Sequence, residues 1–168
     1  MRGVGVALLV AFAGGCGASV GSGMSAEFAT SPGNRVLTPA VRKVTLTSKG
    51  GGLGGAGPWS YTLSLDTKRL AFTGSTLEGE PPMPVPTVDD VSLADQEFST
   101  VTAAAGAVTV SARRDCGADA PTRELRLESS DASFTYGDDF YGCLMDYVDY
   151  VKFDALDSLQ TAFEAVAP

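Results

Sequence analysis

Apolar and polar residues alternate along two stretches of the chain, residues 44–47 and residues 59–65. This period of two is the pattern of a β-strand that buries one of its faces. A turn follows the second stretch, and Leu70 and Phe72 continue the alternation beyond it. The pattern therefore predicts a β-hairpin over residues 59–73, together with a strand at the first stretch.

A second hairpin and two helices are predicted in the rest of the chain. Residues 123–136 alternate on both sides of a turn rich in serine and predict the second hairpin. Ser92 has the position of an N-cap for a helix that Gly106 ends, and from Asp154 onward apolar residues recur at helical intervals. Four prolines within residues 81–86 predict an extended loop. This order predicts an α+β domain, in which an antiparallel sheet built from β-hairpins carries about two helices on one face.

The amino terminus has the three parts of an export signal. Arg2 supplies a positive charge, residues 4–13 form an apolar run, and small residues precede Cys16. A helix that spans a membrane needs about 20 apolar residues, so this run is too short for a permanent anchor. Ala13-Gly14-Gly15-Cys16 resembles the lipobox of bacterial lipoproteins, in which the chain is cut before the cysteine and the thiol receives diacylglycerol.

The resemblance implies several acyl chains on Cys16, which would attach the protein to a membrane without spanning it. It also implies a signal peptide over residues 1–15 and a place in the cell envelope, facing the periplasm or the cell exterior. Ala11-Phe12-Ala13 is an alternative cleavage site for ordinary secretion, which would leave the cysteine as a free thiol. The composition of residues 16–40 predicts a flexible tether after the lipidated cysteine, and residues 41–168 are long enough for one domain.

Two cysteines, Cys116 and Cys143, remain if Cys16 carries lipid. An exported protein meets an oxidising compartment, so we expect these two residues to form one disulfide. They lie 27 residues apart along the chain, and closing a loop of this length stabilises a fold by about 3.5 kcal/mol in the chain-entropy model. Without lipidation, three thiols would compete for one bridge.

Composition excludes several kinds of chemistry. The chain of 168 residues contains no histidine, which excludes Ser-His-Asp and Cys-His catalysis and histidine-bound zinc. Its 12 basic residues against 20 acidic ones give a net charge of −8, whereas neutralising phosphates requires a basic face. We expect no nucleic-acid partner and identify no catalytic residue, cofactor or resident metal. The sequence therefore favours a non-enzymatic structural or binding module.

Residues 138–150 form the most unusual segment, because they combine acidic and aromatic side chains. The simplest interpretation is structural, with tyrosines half-buried and aspartates in water beside the disulfide. Alternatively, the aromatic side chains contact a peptide or a sugar, or the carboxylates bind calcium, although the spacing of an EF-hand is missing. The candidate ligand face consists of Trp59, Asp138, Asp139, Tyr141, Asp146, Tyr147, Asp149 and Tyr150.

Two functions of other classes stay open. Arg114 lies just before Cys116, and an exposed basic residue in a disulfide-supported loop is also a feature of small protease inhibitors. Twenty acidic residues offer many pairs of carboxylates, which a hydrolase of the envelope would require. The sequence does not specify whether the partner is a protein or a small molecule.

Overall fold

The computed structural model describes residues 28–50, 57–78, 83–112, 122–140, 147 and 149–167. In this part of the chain, four strands precede the first helix and three more precede the second, an order close to the predicted one. They are β1 (Lys43–Ser48), β2 (Trp59–Ser64), β3 (Arg69–Glu78), β4 (Met83–Ser92), α1 (Asp95–Ala107), β5 (Arg123–Glu128), β6 (Ser133–Asp138), β7 (Asp149–Val151) and α2 (Phe153–Glu164).

The strands form one sheet in the order β4-β3-β2-β1-β5-β6-β7. Neighbouring strands are antiparallel, except that β6 and β7 run parallel. The architecture is α+β, and both predicted hairpins, β2–β3 and β5–β6, are present. The alternation along the sequence therefore identified the central strands of this sheet correctly, with β1 between the two hairpins.

One face of the sheet, the core face, is buried because apolar residues of neighbouring strands meet in register. Leu46 lies opposite Tyr61 and Leu125, and Leu125 lies opposite Tyr136. All four side chains belong to the hydrophobic core. Since alternate residues of a strand point to opposite faces, residues such as Thr45 lie on the other face, the open face, where most side chains of the central strands β1, β2 and β5 are polar and partly or fully exposed.

Both helices pack against the core face. Val101 and Ala105 of α1 are buried, as are Leu156 and Phe163 of α2. The ring of Phe163 stacks on the ring of Tyr61 of the sheet, with 5.4 Å between the centroids. Fully burying a side chain of this size contributes about 1.5–3 kcal/mol, so these contacts fix the helical layer on the sheet.

Strand β4 includes residues that the prolines predict to be a loop. Pro84 pairs with Leu77, and Pro86 pairs with Ser75 of β3. β4 is the edge strand, where a residue whose nitrogen faces away from the sheet needs no N–H group. The expectation of a loop is therefore wrong from Met83 onward, because proline excludes a central strand and not an edge strand.

Helix α1 begins at Asp95, so the expected N-cap at Ser92 is wrong, since Ser92 ends β4. The residue before the helix is Ala94, whose N–H donates to the carboxylate of Glu97 at 2.8 Å. This hydrogen bond satisfies one of the free donors at the start of the helix. The predicted end of α1 and the predicted start of α2 agree with the structure within one residue.

Residues 28–40, which the composition assigns to the tether, pack against the domain. Val36 is 0% exposed. The ring of Phe28 stacks on that of Phe134 at 5.8 Å, and the hydroxyl of Tyr136 donates to the carbonyl of Ala29 at 2.7 Å. The folded part of the chain therefore includes these residues, and we call residues 28–38 the entry segment.

Backbone hydrogen bonds hold the entry segment to the residues after α1. The N–H of Val36 donates to the carbonyl of Val108 at 3.1 Å, and the N–H of Val110 donates to the carbonyl of Asn34 at 2.9 Å. Val110 in turn forms a β-bridge with Val151 of β7. The entry segment thus lies beyond the β7 side of the sheet.

The three cysteines, Cys16, Cys116 and Cys143, lie outside the described residues, as do the signal peptide and residues 16–27. The lipid and the disulfide therefore stay predictions. Among the described residues, no helix is long and apolar enough to cross a membrane.

Candidate functional site

Two members of the predicted ligand face, Asp138 and Asp139, lie where β5 begins, β6 ends and α2 begins. We call this region, formed by Ser111, Arg123, Asp138 and Asp139, the polar corner. Strand alternation brings Asp138 to the core face, two residues after the buried Tyr136. The chain then turns, and the next residue meets the start of α2.

Asp138 is a buried carboxylate that is bonded to the backbone of two segments. The residue is 0% exposed. One oxygen accepts the backbone N–H of Arg123 at 2.9 Å, and the other accepts that of Phe140 at 3.0 Å. A buried carboxylate is tolerated only with such donors. Asp138 therefore joins the first residue of β5 to the turn after β6.

Asp139 connects three parts of the chain. One carboxylate oxygen accepts the N–H of Phe153 at 2.8 Å, at the start of α2. The other oxygen accepts the hydroxyl hydrogen of Ser111 at 2.5 Å. Its own N–H donates to the carbonyl of Val151 at 2.9 Å. A negative charge at the first turn of a helix is stabilising, so this contact supports the position of α2.

Arg123 places a guanidinium between the sheet and α2, and its side chain is only 6% exposed. It donates to the side-chain oxygen of Gln160 at 3.0 Å and to Asp157 at 3.4 Å, and it lies 4.3 Å from the ring centroid of Phe153. The motifs of the sequence did not single out this residue. The sequence does contain one indication that Arg123 is buried: in the two-residue alternation of β5, Arg123 falls on the same side as Leu125.

An open cavity of about 400 Å³ lies beside the polar corner. Its volume is within the range of small-molecule sites. Asp139 on its wall is already bonded to α2 and to Ser111. Lys152 and Asp154, both exposed, add charges of opposite sign. The described lining therefore has two carboxylates and one ammonium group, and one of the carboxylates is already bonded within the fold, so it marks no defined ion site.

Tyr147 covers the open face behind the polar corner. A Cβ added to Gly137 would overlap its ring. Its hydroxyl donates to Glu124, which also forms an ion pair with Lys49. Burial and then the hydrogen bond to Glu124 raise the pKa of the Tyr147 hydroxyl. This phenol therefore stays protonated at neutral pH and acts as a clamp on the sheet.

The other described members of the predicted ligand face are divided between the two faces. Tyr150 is 7% exposed and meets the ring of Tyr147 edge-on at 5.8 Å on the open face. Trp59 begins β2 on the core face. Asp149 pairs in register with Tyr136, and burial, followed by the charge of Asp149, raises the pKa of Tyr136 to about 12.

Tyr141 and Asp146 of the predicted ligand face lie outside the described residues, and so does Arg114. Within the described part of the chain, no group of three or more Asp, Glu, His or Cys side chains is arranged to hold a metal ion. Both carboxylates of the polar corner accept hydrogen bonds from the chain itself. The hydrogen bonds of the polar corner hold β5, β6, α2 and the residues after α1 together.

The chain matches no protein-family model, and comparisons with curated proteins and with solved structures find no significant similarity. No relative therefore suggests a function for it.

Proposed function

We propose that this chain is an exported lipoprotein, held at a membrane by acyl chains on Cys16, whose domain is a non-enzymatic binding module of the cell envelope. The apolar run over residues 4–13 and the lipobox-like Ala13-Gly14-Gly15-Cys16 support export and lipidation. Two or more acyl chains make such an attachment stable, because each buried methylene contributes about 0.8 kcal/mol.

The observation that carries the proposal is the apolar run that ends in Ala13-Gly14-Gly15-Cys16, and the packing of the entry segment limits how far such an anchor would hold the domain from a membrane. Phe28 and Ala29 are fixed to Phe134 and Tyr136, and only the eleven residues 17–27 lie between Cys16 and Phe28 along the chain. Eleven residues span at most about 36–40 Å even when they are fully extended. The domain would therefore stay close to the lipid surface, with the start of β6 nearest to it.

Metabolic labelling with a clickable fatty acid tests this proposal. We expect label on the wild-type chain and on Cys143→Ser, which is the matched cysteine control. Cys16→Ser should take up no label and should move from the membrane fraction to the soluble fraction. A wild-type chain without label, or a Cys16→Ser variant that keeps it, would contradict lipidation at this residue.

We also propose the disulfide between Cys116 and Cys143, and the polar corner supports it. The segment that contains Cys116 leaves the described chain after Ala112 and returns at Thr122, and the segment that contains Cys143 leaves it after Phe140. Neighbours of these end points are bonded to each other: Ser111 to Asp139 at 2.5 Å, and Arg123 to Asp138 at 2.9 Å.

Both cysteines are within reach of this common point. Cys116 is five residues from Ser111, and Cys143 is four residues from Asp139. Each residue of an extended chain covers about 3.3–3.6 Å, so both thiols can approach to the Cα separation of a disulfide, about 4.4–6.8 Å.

Thiol counting on native material tests the disulfide. We expect no reactive thiol in the lipidated wild type and one, on Cys143, in Cys116→Ser. The variant should also lose about 3.5 kcal/mol of unfolding free energy. Two reactive thiols in the unreduced wild type would show that the bridge does not form.

A further inference from the structure

The entry segment contains an open cavity of its own, about 450 Å³ in volume. Its described lining shares no residue with the polar corner, and Phe28 bounds it on its apolar side. The polar residues that line it are Thr30, Ser31, Asn34, Arg35 and Thr38. We call this cavity the entry pocket.

Among the described residues that line it, the entry pocket has a cation, Arg35, and no carboxylate, in a chain whose net charge is −8. Arg35 is exposed and forms no ion pair with the described residues. In the same part of the chain, seven of the other eight basic residues have an acidic partner, and Lys152 is the exception. The guanidinium of Arg35 is therefore available to an anion.

Thr38 supplies a second, independent observation. Its hydroxyl oxygen is buried and is the one buried side-chain polar atom of the described residues that has no hydrogen-bond partner. A buried polar group without a partner costs about 1–3 kcal/mol, and such groups in a native fold require an explanation. This oxygen does not face the open cavity, but Thr38 lines the cavity, so a rotation of its side chain to another rotamer would present the hydroxyl to a ligand there.

The side chains around the entry pocket are rich in hydrogen-bond donors. Arg35 offers a planar fork of N–H groups, Asn34 an amide, and Ser31 and Thr38 hydroxyls. The backbone N–H groups of Gly33 and Asn34 are already bonded to Val110 and Ser31, so a ligand would meet side chains. Arginine forks match the oxygens of phosphoryl groups in pairs.

We infer that the entry pocket binds a phosphoryl group through Arg35, with hydroxyl donation from Thr38. The group comes from a lipid headgroup or from free phosphate, and the two sources have the same recognition chemistry. The lipid source rests on the proposed anchoring at Cys16, which would hold this end of the domain near headgroups. The binding of free phosphate does not depend on that anchoring.

The first experiment titrates the full chain carrying Cys16→Ser with inorganic phosphate and follows the side-chain NMR signal of Arg35. We expect a saturable shift below about 10 mM phosphate. Adding Arg35→Gln should raise the Kd at least about tenfold. Arg42→Gln, which removes the same charge from an exposed ion pair with Asp66, is the matched control and should leave the Kd unchanged.

Thr38→Val distinguishes a binding role from a structural one. It should raise the Kd about threefold to tenfold and leave the melting temperature of the free protein equal or higher, because it removes an unpartnered hydroxyl. A purely structural role of Thr38 would instead lower the melting temperature.

Vesicles identify the source of the phosphoryl group. The same Cys16→Ser chain is sedimented with vesicles of phosphatidylcholine, with and without phosphatidic acid. Binding that requires phosphatidic acid and Arg35 supports a headgroup, and phosphate binding without vesicle binding supports free phosphate. No saturable phosphate shift, or equal Kd values for Arg35→Gln and Arg42→Gln, would overturn the site whether or not Cys16 carries lipid.

Discussion

The polar corner and the entry pocket differ in how completely their polar side chains are hydrogen-bonded. At the corner, Asp138 is fully buried and both of its oxygens accept backbone N–H groups, and Arg123 is bonded to side chains of α2. In the entry pocket, Arg35 has no ion pair among the described residues, and the hydroxyl of Thr38 is buried without a partner. Both regions contain an arginine, but of these two only Arg123 of the polar corner has an ion-pair partner among the described residues.

The difference separates a structural role from a binding role. A ligand at the polar corner would have to replace hydrogen bonds that the folded chain already makes. A ligand in the entry pocket would replace only water on the exposed Arg35 and could give the hydroxyl of Thr38 a partner, which is the more favourable exchange. We therefore assign stability to the polar corner and ligand binding to the entry pocket.

The largest expected effect is the loss of the Asp138 carboxylate. Asp138→Ala removes the acceptor of two backbone N–H groups, one buried and one partly buried, and should lower the free energy of unfolding by about 3–5 kcal/mol. Urea unfolding measures this change. Asp138→Asn keeps one oxygen acceptor and should lose less, which keeps the prediction testable if the alanine variant does not fold.

The matched control is Asp66→Ala, which removes an exposed carboxylate from an ion pair with Arg42. Its expected loss is below about 1 kcal/mol, as for surface ion pairs in general. Equal losses in Asp138→Ala and Asp66→Ala would mean that the polar corner is not a structural centre.

The second largest effect tests the open face behind the corner. Gly137→Ala forces the ring of Tyr147 away from the sheet and should lower the unfolding free energy by about 1–3 kcal/mol. Gly106→Ala is the opposite case, because nothing lies near its added Cβ in helix α1, and it should gain about 0.5–1 kcal/mol. Thermal unfolding of the two variants shows whether each substitution raises or lowers the stability. A Gly137→Ala variant that is more stable than the wild type would contradict the role of Tyr147 as a clamp on the sheet.

A smaller effect concerns the hydrogen bond that fixes the entry segment. Tyr136→Phe removes the donor to the carbonyl of Ala29 and should cost about 1 kcal/mol. Tyr61→Phe is the control, because no hydrogen bond of that hydroxyl is found among the described residues, and it should be nearly neutral. Proteolysis should cut the entry segment faster in Tyr136→Phe alone.

The same tyrosine predicts a dependence on pH. Burial, followed by the charge of Asp149, raises the pKa of Tyr136 to about 12, whereas an unfolded tyrosine titrates near 10. Between these values the unfolded chain has lost a proton that the native chain keeps, so the unfolding free energy falls as the pH rises. Tyr136→Phe should reduce this fall, and an unchanged pH profile would contradict the assignment.

The smallest expected change in stability is that of Thr38→Val. Since the hydroxyl makes no hydrogen bond in the described chain, its removal should leave the unfolding free energy within about 0.5 kcal/mol or raise it. A loss of unfolding free energy larger than about 1 kcal/mol, on the order of a normal buried hydrogen bond, would show that Thr38 has a structural role like that of the residues in the polar corner.

Period-two alternation was enough to predict both hairpins, because one face of each strand packs in the core and the other meets water. It failed at β4, where Pro84 and Pro86 occupy an edge strand, and at β7, which has only three residues. It failed also at the entry segment, where the apolar Phe28 and Val36 are few but well placed.

The candidate site was harder to predict than the fold. The aspartates of the polar corner were visible as a cluster in the sequence, but their partners come from distant segments, such as Ser111 for Asp139. Arg35 and Thr38 carry no pattern that marks them, because the absence of a partner is a property of the folded chain. Only the contacts in the folded chain show which polar side chains already have a hydrogen-bond or ion-pair partner and which do not.

The sharpest test of lipid anchoring is the mass of the amino-terminal peptide, taken from membranes of cells that make this protein. Lipidation predicts a peptide that begins at Cys16 and carries the mass of acyl chains on that residue. A peptide that begins at Met1, or one cut elsewhere and free of lipid, would contradict the proposal.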